Sequence, residues 1–369
     1  MTGQTAFVES LSPWPKDGFG LDRIKALLSR LGDPQLSYPS IHVVGTNGKS
    51  TVTRTIDELL AREGLKVGAY LSPHVRGWSE RIRVGGEEAE FNAAIERVRG
   101  EAESVGATQF ELLTAAALTA FADADVDVAA VEAGLGGRYD ATNVLRSPVQ
   151  VLTNVGLEHI DVLGTTREAI AAEKLAVVQP GATVVLTEPE WEPLARENGA
   201  ASVVLASRSN LAVALAAAEE FLGRPVDGHV DVKLPGRLER VNDDPLEIWD
   251  GAHNLAGVGY MLGRLPSARY VVLASILADK DVEGMLAAFS VLGDRFVATR
   301  STSARALSAA DLAERASRYF IQVEAFEDPA DALAHARALG QPLLVTGSLY
   351  LLADLAKDVG RRWRTLATG

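Results

Sequence analysis

The residues best placed to do chemistry begin at Gly45, in the run GTNGKST. Gly45 and Gly48 allow the backbone to turn its N–H groups toward an anion, and Lys49 places a positive charge beside them. Ser50 or Thr51 can offer a hydroxyl to phosphate or magnesium. Gly45, Thr46, Asn47, Gly48, Lys49, Ser50 and Thr51 together make the expected nucleotide-binding segment. Glycines alone would fit a tight turn with no ligand. Lys49 followed by Ser50 and Thr51 shifts the reading to nucleotide phosphate. The strict phosphate-loop spacing wants a glycine where Val43 stands, so this loop is a shorter variant.

Three more candidates follow apolar runs. Ser72 comes after VGAYL, Glu132 closes VDVAAVE, and His159 follows VQVLTNVG. A hydroxyl, a carboxylate and an imidazole can complete a magnesium shell with phosphate oxygens and water. Singly, each has a plainer reading. Ser72 before Pro73 is an ordinary turn residue, and a lone histidine is more often a satisfied surface or core group. A buried Glu132 requires a metal, lysine or arginine nearby, because an isolated carboxylate is costly to bury. Lys174 lies among Ala and Val in TTREAIAAEKLAVVQPG, where periodicity alone favours a lysine snorkelling to solvent. Farther on, LPGRLERV carries Arg237 and DGAHN carries Asp250 and His253. These can face a ligand or phosphate. Equally, Asp250, His253 and Asn254 can cap a helix, and a lone arginine is usually a solvated surface group.

The elements that must position these residues are legible as alternation. IHVV, VGAYL, VDVAAVEA, VQVLTNV, TVVLTE and SVVLA are short β-rich runs separated by helical patterns, which marks βαβ units and a mostly parallel sheet. Val52, Ile56, Leu59 and Leu60 recur at helical spacing until Gly64, so GTNGKST falls between a strand and a helix. The Thr165 to Glu168 spacing predicts a capping box and a helix of about three turns that stops before Pro180. After NLAVALAAAEEFLG the chain turns polar, and the expected boundary lies near Asp227, giving domains 1–226 and 227–369. LEIWD, YVVLASI, RFVATR, FIQVEAF and PLLVTGS then repeat the alternation in a smaller α/β domain.

The 369 residues carry a formal net charge of −13 and no cysteine. The acidic balance argues against nucleic-acid and polybasic membrane surfaces, and the lack of cysteine excludes disulfides and thiolate metal sites. No basic-then-apolar leader or run near the roughly 18 residues of a membrane span occurs, so a cytoplasmic protein is expected.

In order, GTNGKST, YLSPHVRGWSERIRV, QFELLTAAA, VEAGLGGRYDATNV, GLEHIDVLGTTREAIAAEK, LPGRLERV, DGAHN, LADKD and VTGSLY resemble the dihydrofolate synthase and folylpolyglutamate synthase family of the Mur ligase superfamily, from about Phe19 to Leu351. Ser50 stands where that family usually has glycine, and Thr51 aligns with its usual serine. The resemblance implies an α/β fold with an N-terminal P-loop ATPase-like domain, mostly parallel in its sheet, and a smaller Rossmann-like C-terminal domain. It implies an ATP-dependent ligase that joins L-glutamate to dihydropteroate, with reduced folates as further acceptors, through an acyl phosphate. Carried over by position, Lys49 would hold the γ-phosphate, and Ser72, Glu132 and His159, with Thr51, would bind Mg2+. Lys174 matches a lysine that is carbamylated to give another metal-binding oxygen. Arg237 would approach ATP, while Asp250 and His253 would serve the phosphates and the incoming glutamate. Phe110 lies where the family contacts its pterin substrate, although an aromatic among apolar residues is more often core. The implied partners are small molecules, with no nucleic acid or membrane; a monomer is expected, and a K+ requirement stays open. Two other readings remain at this stage: a Mur-like ligase for a different carboxylate, which GKST permits, and a nucleotide-binding regulatory module.

Overall fold

A computed structural model describes residues 3–15 and 18–366, with side chains described as far as Lys357; the chain ends assigned above to residues 1 and 369 lie outside them. The chain divides into two compact units, Met1–Pro73 with Trp78–Val232, and His74–Gly77 with Lys233–Gly369.

In the first unit, β1 (Ser40–Val44), β2 (Val67–Tyr70), β3 (Ile82–Val84), β4 (Glu87–Glu88), β5 (Val128–Glu132), β6 (Val149–Leu152), β7 (Thr183–Leu186) and β8 (Ser202–Leu205) form one sheet. Their order is β4-β3-β2-β5-β1-β6-β7-β8. The six strands from β2 to β8 in that order run parallel, and β3 and β4 add an antiparallel edge. Parallel strands are covered on both faces, which is why IHVV and VAAV read as unbroken apolar runs. On one face Ile41, Val43, Val128 and Val151 pack with Val52, Ile56, Leu59 and Leu60 of the Lys49–Arg62 helix and with Val213 and Ala217 of the Asn210–Leu222 helix. On the other, Val44, Leu152 and Val184 meet Ile170, Ala171 and Leu175, while Tyr70, Ala129 and Val131 meet the Gln109–Asp123 helix.

The register places the chemistry. Val43 pairs with Glu132 and Val44 with Leu152, so the carboxyl ends of β5, β1 and β6 finish side by side. Since β1 sits between strands reached by crossovers on either side, Gly45 emerges at the switch point where doubly wound sheets bind ligands.

The second unit holds β9 (Glu239–Asp243), β10 (Leu246–Trp249), β11 (Val271–Ala274), β12 (Arg295–Thr299), β13 (Gln322–Phe326) and β14 (Leu343–Thr346), ordered β13-β12-β11-β14-β10-β9. Only β9 is antiparallel among them. Ile248, Val272, Phe296 and Leu344 fill one face, and Trp249, Val271, Leu273 and Val345 the other. The polar run before it stays irregular from Arg224 to Leu234, and Val226 and Val230 pack on the first unit's core.

Candidate active site

The phosphate loop is held open by its neighbour in the sheet. Asn47 donates its N–H to Asn154 Oδ1 at 3.0 Å, and its carbonyl accepts from Thr153 Oγ1 at 2.7 Å and Asn154 Nδ2 at 2.9 Å. Thr46 N–H donates to the Asn154 carbonyl at 3.0 Å, and Thr46 Oγ1 accepts from Gly156 N–H at 3.0 Å. Gly45 has φ +149°, and a Cβ there would collide with Thr153 Oγ1. Gly48, at φ +85°, is the N-cap of the Lys49–Arg62 helix. The sequence reading missed Thr153 and Asn154 because they look like the end of an apolar strand. Lys49 Nζ folds back to donate to the carbonyls of Gly45 at 3.0 Å and Thr46 at 3.3 Å.

Ser50, Ser72 and Glu132 meet. Ser50 Oγ donates to Glu132 Oε1 at 3.0 Å, and Ser72 N–H donates to Glu132 Oε2 at 3.0 Å. Glu132 is buried to 1% exposure. Ser50 is therefore the hydroxyl that faces the carboxylate. Thr51 sits in the first helical turn, where its carbonyl accepts from Thr55 Oγ1. His159 takes φ +50° ahead of the short Ile160–Leu163 helix, and its Nε2 lies 3.4 Å from Glu158 Oε1.

Lys174 does not snorkel. It is 3% exposed, and its Nζ donates to the Gly45 carbonyl at 2.8 Å. Burial first, and then the nearby Lys49 charge, push its ammonium down to about 7, leaving an appreciable fraction of free amine at neutral pH. The helix that carries it runs Arg167–Leu175 and is capped by Thr166, whose Oγ1 accepts from Ala169 N–H, so the expected Thr165 cap is off by one. It stops before Pro180, as expected, and beyond its end Gln150 Nε2 donates to the Val177 carbonyl at 2.6 Å.

In the second unit both Asp250 oxygens are engaged by backbone, Oδ2 accepting from Leu238 N–H at 2.8 Å and Oδ1 from Ala252 N–H at 2.9 Å. Asp250 thereby pins the Gly236–Leu238 turn, with Arg237 in it, to the end of β10, and burial raises its carboxyl above the usual range. Arg237 Nη1 donates to the Gly236 carbonyl at 3.1 Å, and His253 Nδ1 lies 2.9 Å from the Gly251 carbonyl. Asn254 caps the Leu255–Leu262 helix, its Oδ1 accepting from Gly257 N–H at 2.8 Å. The capping reading of DGAHN therefore falls on Asn254.

The first unit's donors suit a hard divalent cation: a buried carboxylate beside a serine hydroxyl, next to a loop built for phosphate. Among the described residues no three His, Asp or Glu side chains gather as a metal site. A cation here would complete its shell with phosphate oxygens and water, the habit of magnesium. Among the described residues no helix is long and apolar enough to cross a membrane.

Comparison with known proteins agrees with this geometry. Residues 43–224 match the Mur ligase middle domain, and residues 236–349 the Mur ligase glutamate ligase domain. The dihydrofolate synthase/folylpolyglutamate synthase of Mycobacterium tuberculosis is 34% identical, over 88% of this chain and 84% of its own. The structure of Escherichia coli FolC in complex with DHPP and ADP superposes with a TM-score of 0.85 at 30% identity, covering 97% of both chains. A bifunctional folylpolyglutamate synthase/dihydrofolate synthase with Mn, AMPPNP and L-glutamate bound superposes with a TM-score of 0.85 at 30% identity, covering 96% of this chain and 97% of that one.

Proposed function

Because the chain belongs to the dihydrofolate synthase/folylpolyglutamate synthase family of Mur ligases, we propose that it joins the amine of L-glutamate to the carboxylate of dihydropteroate, with reduced folates as further acceptors. It is an ATP-dependent carboxylate–amine ligase, and it uses a nucleotide and a divalent metal. The observation that carries the reading is the convergence of Lys49 and Lys174 on the Gly45 carbonyl, on strand ends adjoining the Ser50–Glu132–Ser72 cluster.

The pterin-bearing carboxylate attacks the γ-phosphorus of ATP, and ADP leaves. The glutamate amine then adds to the acyl phosphate, loses a proton, and inorganic phosphate departs. Lys49 draws charge from the transferring phosphoryl group at the N-terminus of its own helix. Ser72, Glu132 and His159, with Ser50 or Thr51, would hold Mg2+, which supplies offsetting charge for the phosphates when bound. Lys174, buried and readily deprotonated, suits carbamylation by CO2, which would turn a cation into a further oxygen ligand; K+ would balance the added charge. Arg237, in a turn set by Asp250, would contact ATP, and His253 would serve the incoming glutamate. The reading assigns residues 1–226 and 227–369 to the two Mur-type domains of a cytoplasmic monomer.

Phosphate release from ATP, magnesium and L-glutamate, with dihydropteroate in one reaction and tetrahydrofolate monoglutamate in another, tests this by product mass. A glutamyl adduct on dihydropteroate is expected. Phosphate release without any adduct would move the acceptor outside folate chemistry.

A further inference from the structure

Under the loop that follows Glu132, three buried side chains form a hydrogen-bonded chain. His42 Nε2 on β1 lies 2.8 Å from Thr142 Oγ1, and Thr142 Oγ1 donates to Asp140 Oδ1 at 2.5 Å. None is more than 5% exposed. Asp140 also accepts from Leu135 N–H at 2.7 Å and Thr142 N–H at 3.0 Å. Burial holds the imidazole neutral, its pKa lowered to about 4. With Asp140 ionised, the Thr142 hydroxyl gives its one proton to the carboxylate and His42 donates from Nε2; burial raises the Asp140 carboxyl above its usual range, and the hydrogen bonds from Leu135 N–H and from Thr142 oppose that rise. A second tie from the same strand, Ser40 Oγ to Ser147 Oγ at 2.7 Å, holds the far end of this segment.

The loop so anchored runs directly from Glu132 to the Lys174 helix. Arg138 N–H donates to the Glu173 carbonyl at 2.9 Å, and a Cβ at Gly137 would stand 2.6 Å from the Lys174 carbonyl oxygen. At Gly134 a Cβ would stand 2.5 Å from the Phe110 ring. The loop therefore has no slack on any side.

We propose that His42 and Thr142 are positioning residues: acting through Asp140, they fix the 133–140 loop and thereby set Glu132 and Lys174 against the phosphate loop. This rests on the roles proposed above for Glu132 and Lys174. Partners that orient metal ligands from behind are typically worth about 10- to 100-fold in metal affinity.

Thr142→Val keeps the volume and deletes the hydroxyl; Thr142→Ser keeps it. With a non-hydrolysable ATP analogue present, Mn2+ affinity should fall about tenfold in Thr142→Val and recover in Thr142→Ser, with the KM for glutamate unmoved. Equal Mn2+ affinity in wild type and Thr142→Val, or a loss that Thr142→Ser does not restore, overturns the proposal. Should Thr142→Val fail to fold, His42→Gln, which retains an N–H donor, against His42→Leu makes the same comparison. Nitrogen NMR of the His42 ring at pH 7 should find it neutral with the proton on Nε2; a proton on Nδ1 overturns the chain itself. Wild-type protein that binds no Mn2+ with nucleotide would defeat the proposed function instead, and the ring tautomer would still decide the hydrogen-bond chain.

Discussion

Lys49 and Lys174, from different helices, donate to the same carbonyl oxygen, that of Gly45, at 3.0 and 2.8 Å. Burial of Lys174 disfavours its charged form, and repulsion from the second ammonium group on the same acceptor adds to the effect, so its pKa falls from 10.5 to about 7. The unfolded chain then holds a proton that the folded chain releases between those values. The penalty from this group is complete below about pH 7 and is relieved as pH rises toward 10.5. The thermal midpoint of ligand-free wild type should accordingly climb between pH 6 and pH 9 relative to Lys174→Met. Parallel curves for the two proteins would contradict the shift.

Lys174→Ala should reduce turnover by roughly a hundredfold or more, as loss of a preorganised charged group does. Short carboxylates such as formate should restore part of the rate, because they can occupy the space with an oxygen anion. Unchanged turnover in Lys174→Ala would remove the residue from the reaction.

Glu132→Gln preserves shape, its amide oxygen accepting from Ser72 N–H while its amide N–H donates to Ser50 Oγ, so its fold should hold. Removing the charge should weaken Mn2+ binding and lower kcat by about 10². Metal titration by electron paramagnetic resonance separates the two effects; undiminished Mn2+ affinity would exclude Glu132 as a ligand.

Gly45→Ala forces a Cβ onto Thr153 Oγ1. Overpacking should cost about 1–3 kcal/mol, measured by denaturant unfolding, and nucleotide affinity should fall with it because the Asn47 anchors move together with Thr153. Wild-type affinity for ADP would show that the loop tolerates the shift.

Glu247, 5% exposed, takes two bonds of 2.8 Å from Arg337 and one of 2.7 Å from Trp249 Nε1. Because the Arg337 side chain is 42% exposed, Glu247→Leu should cost about 2 kcal/mol, less than a fully buried pair. Turnover should stay at the wild-type level, since this pair stands at the start of β10, away from Asp250.

Much of the framework was legible because parallel strands need continuous apolar runs, so IHVV, VAAV and VVL announced themselves. The antiparallel edges were not: Glu87–Glu88 and Glu239–Asp243 are short, polar and exposed, as edges tend to be. Glu132 could be singled out as a buried carboxylate in need of company. Which hydroxyl supplied it could not, because Ser50 is 82 residues away and competes on paper with Thr51. Lys174 was ambiguous for a similar reason; it sits between Glu173 and Leu175 in a helix of mixed polar and apolar residues, and only its approach to Gly45 decides that it points inward. His42 looked like one more strand residue, for its partner Thr142 lies 100 positions on.

The strand order has a consequence for the growing chain. Gly45 to Thr51 leave the ribosome early, yet the Asn154 that clamps Asn47 follows 107 residues later and Lys174 lies 129 residues past Gly45. Until that second lysine's helix emerges, a nascent polypeptide carries a glycine loop without its walls and an inner strand without its neighbours. Nucleotide cannot stabilise so incomplete a pocket. The first half of this sheet must therefore wait, exposed to mispairing, for a stretch whose translation takes about ten seconds at ordinary elongation rates.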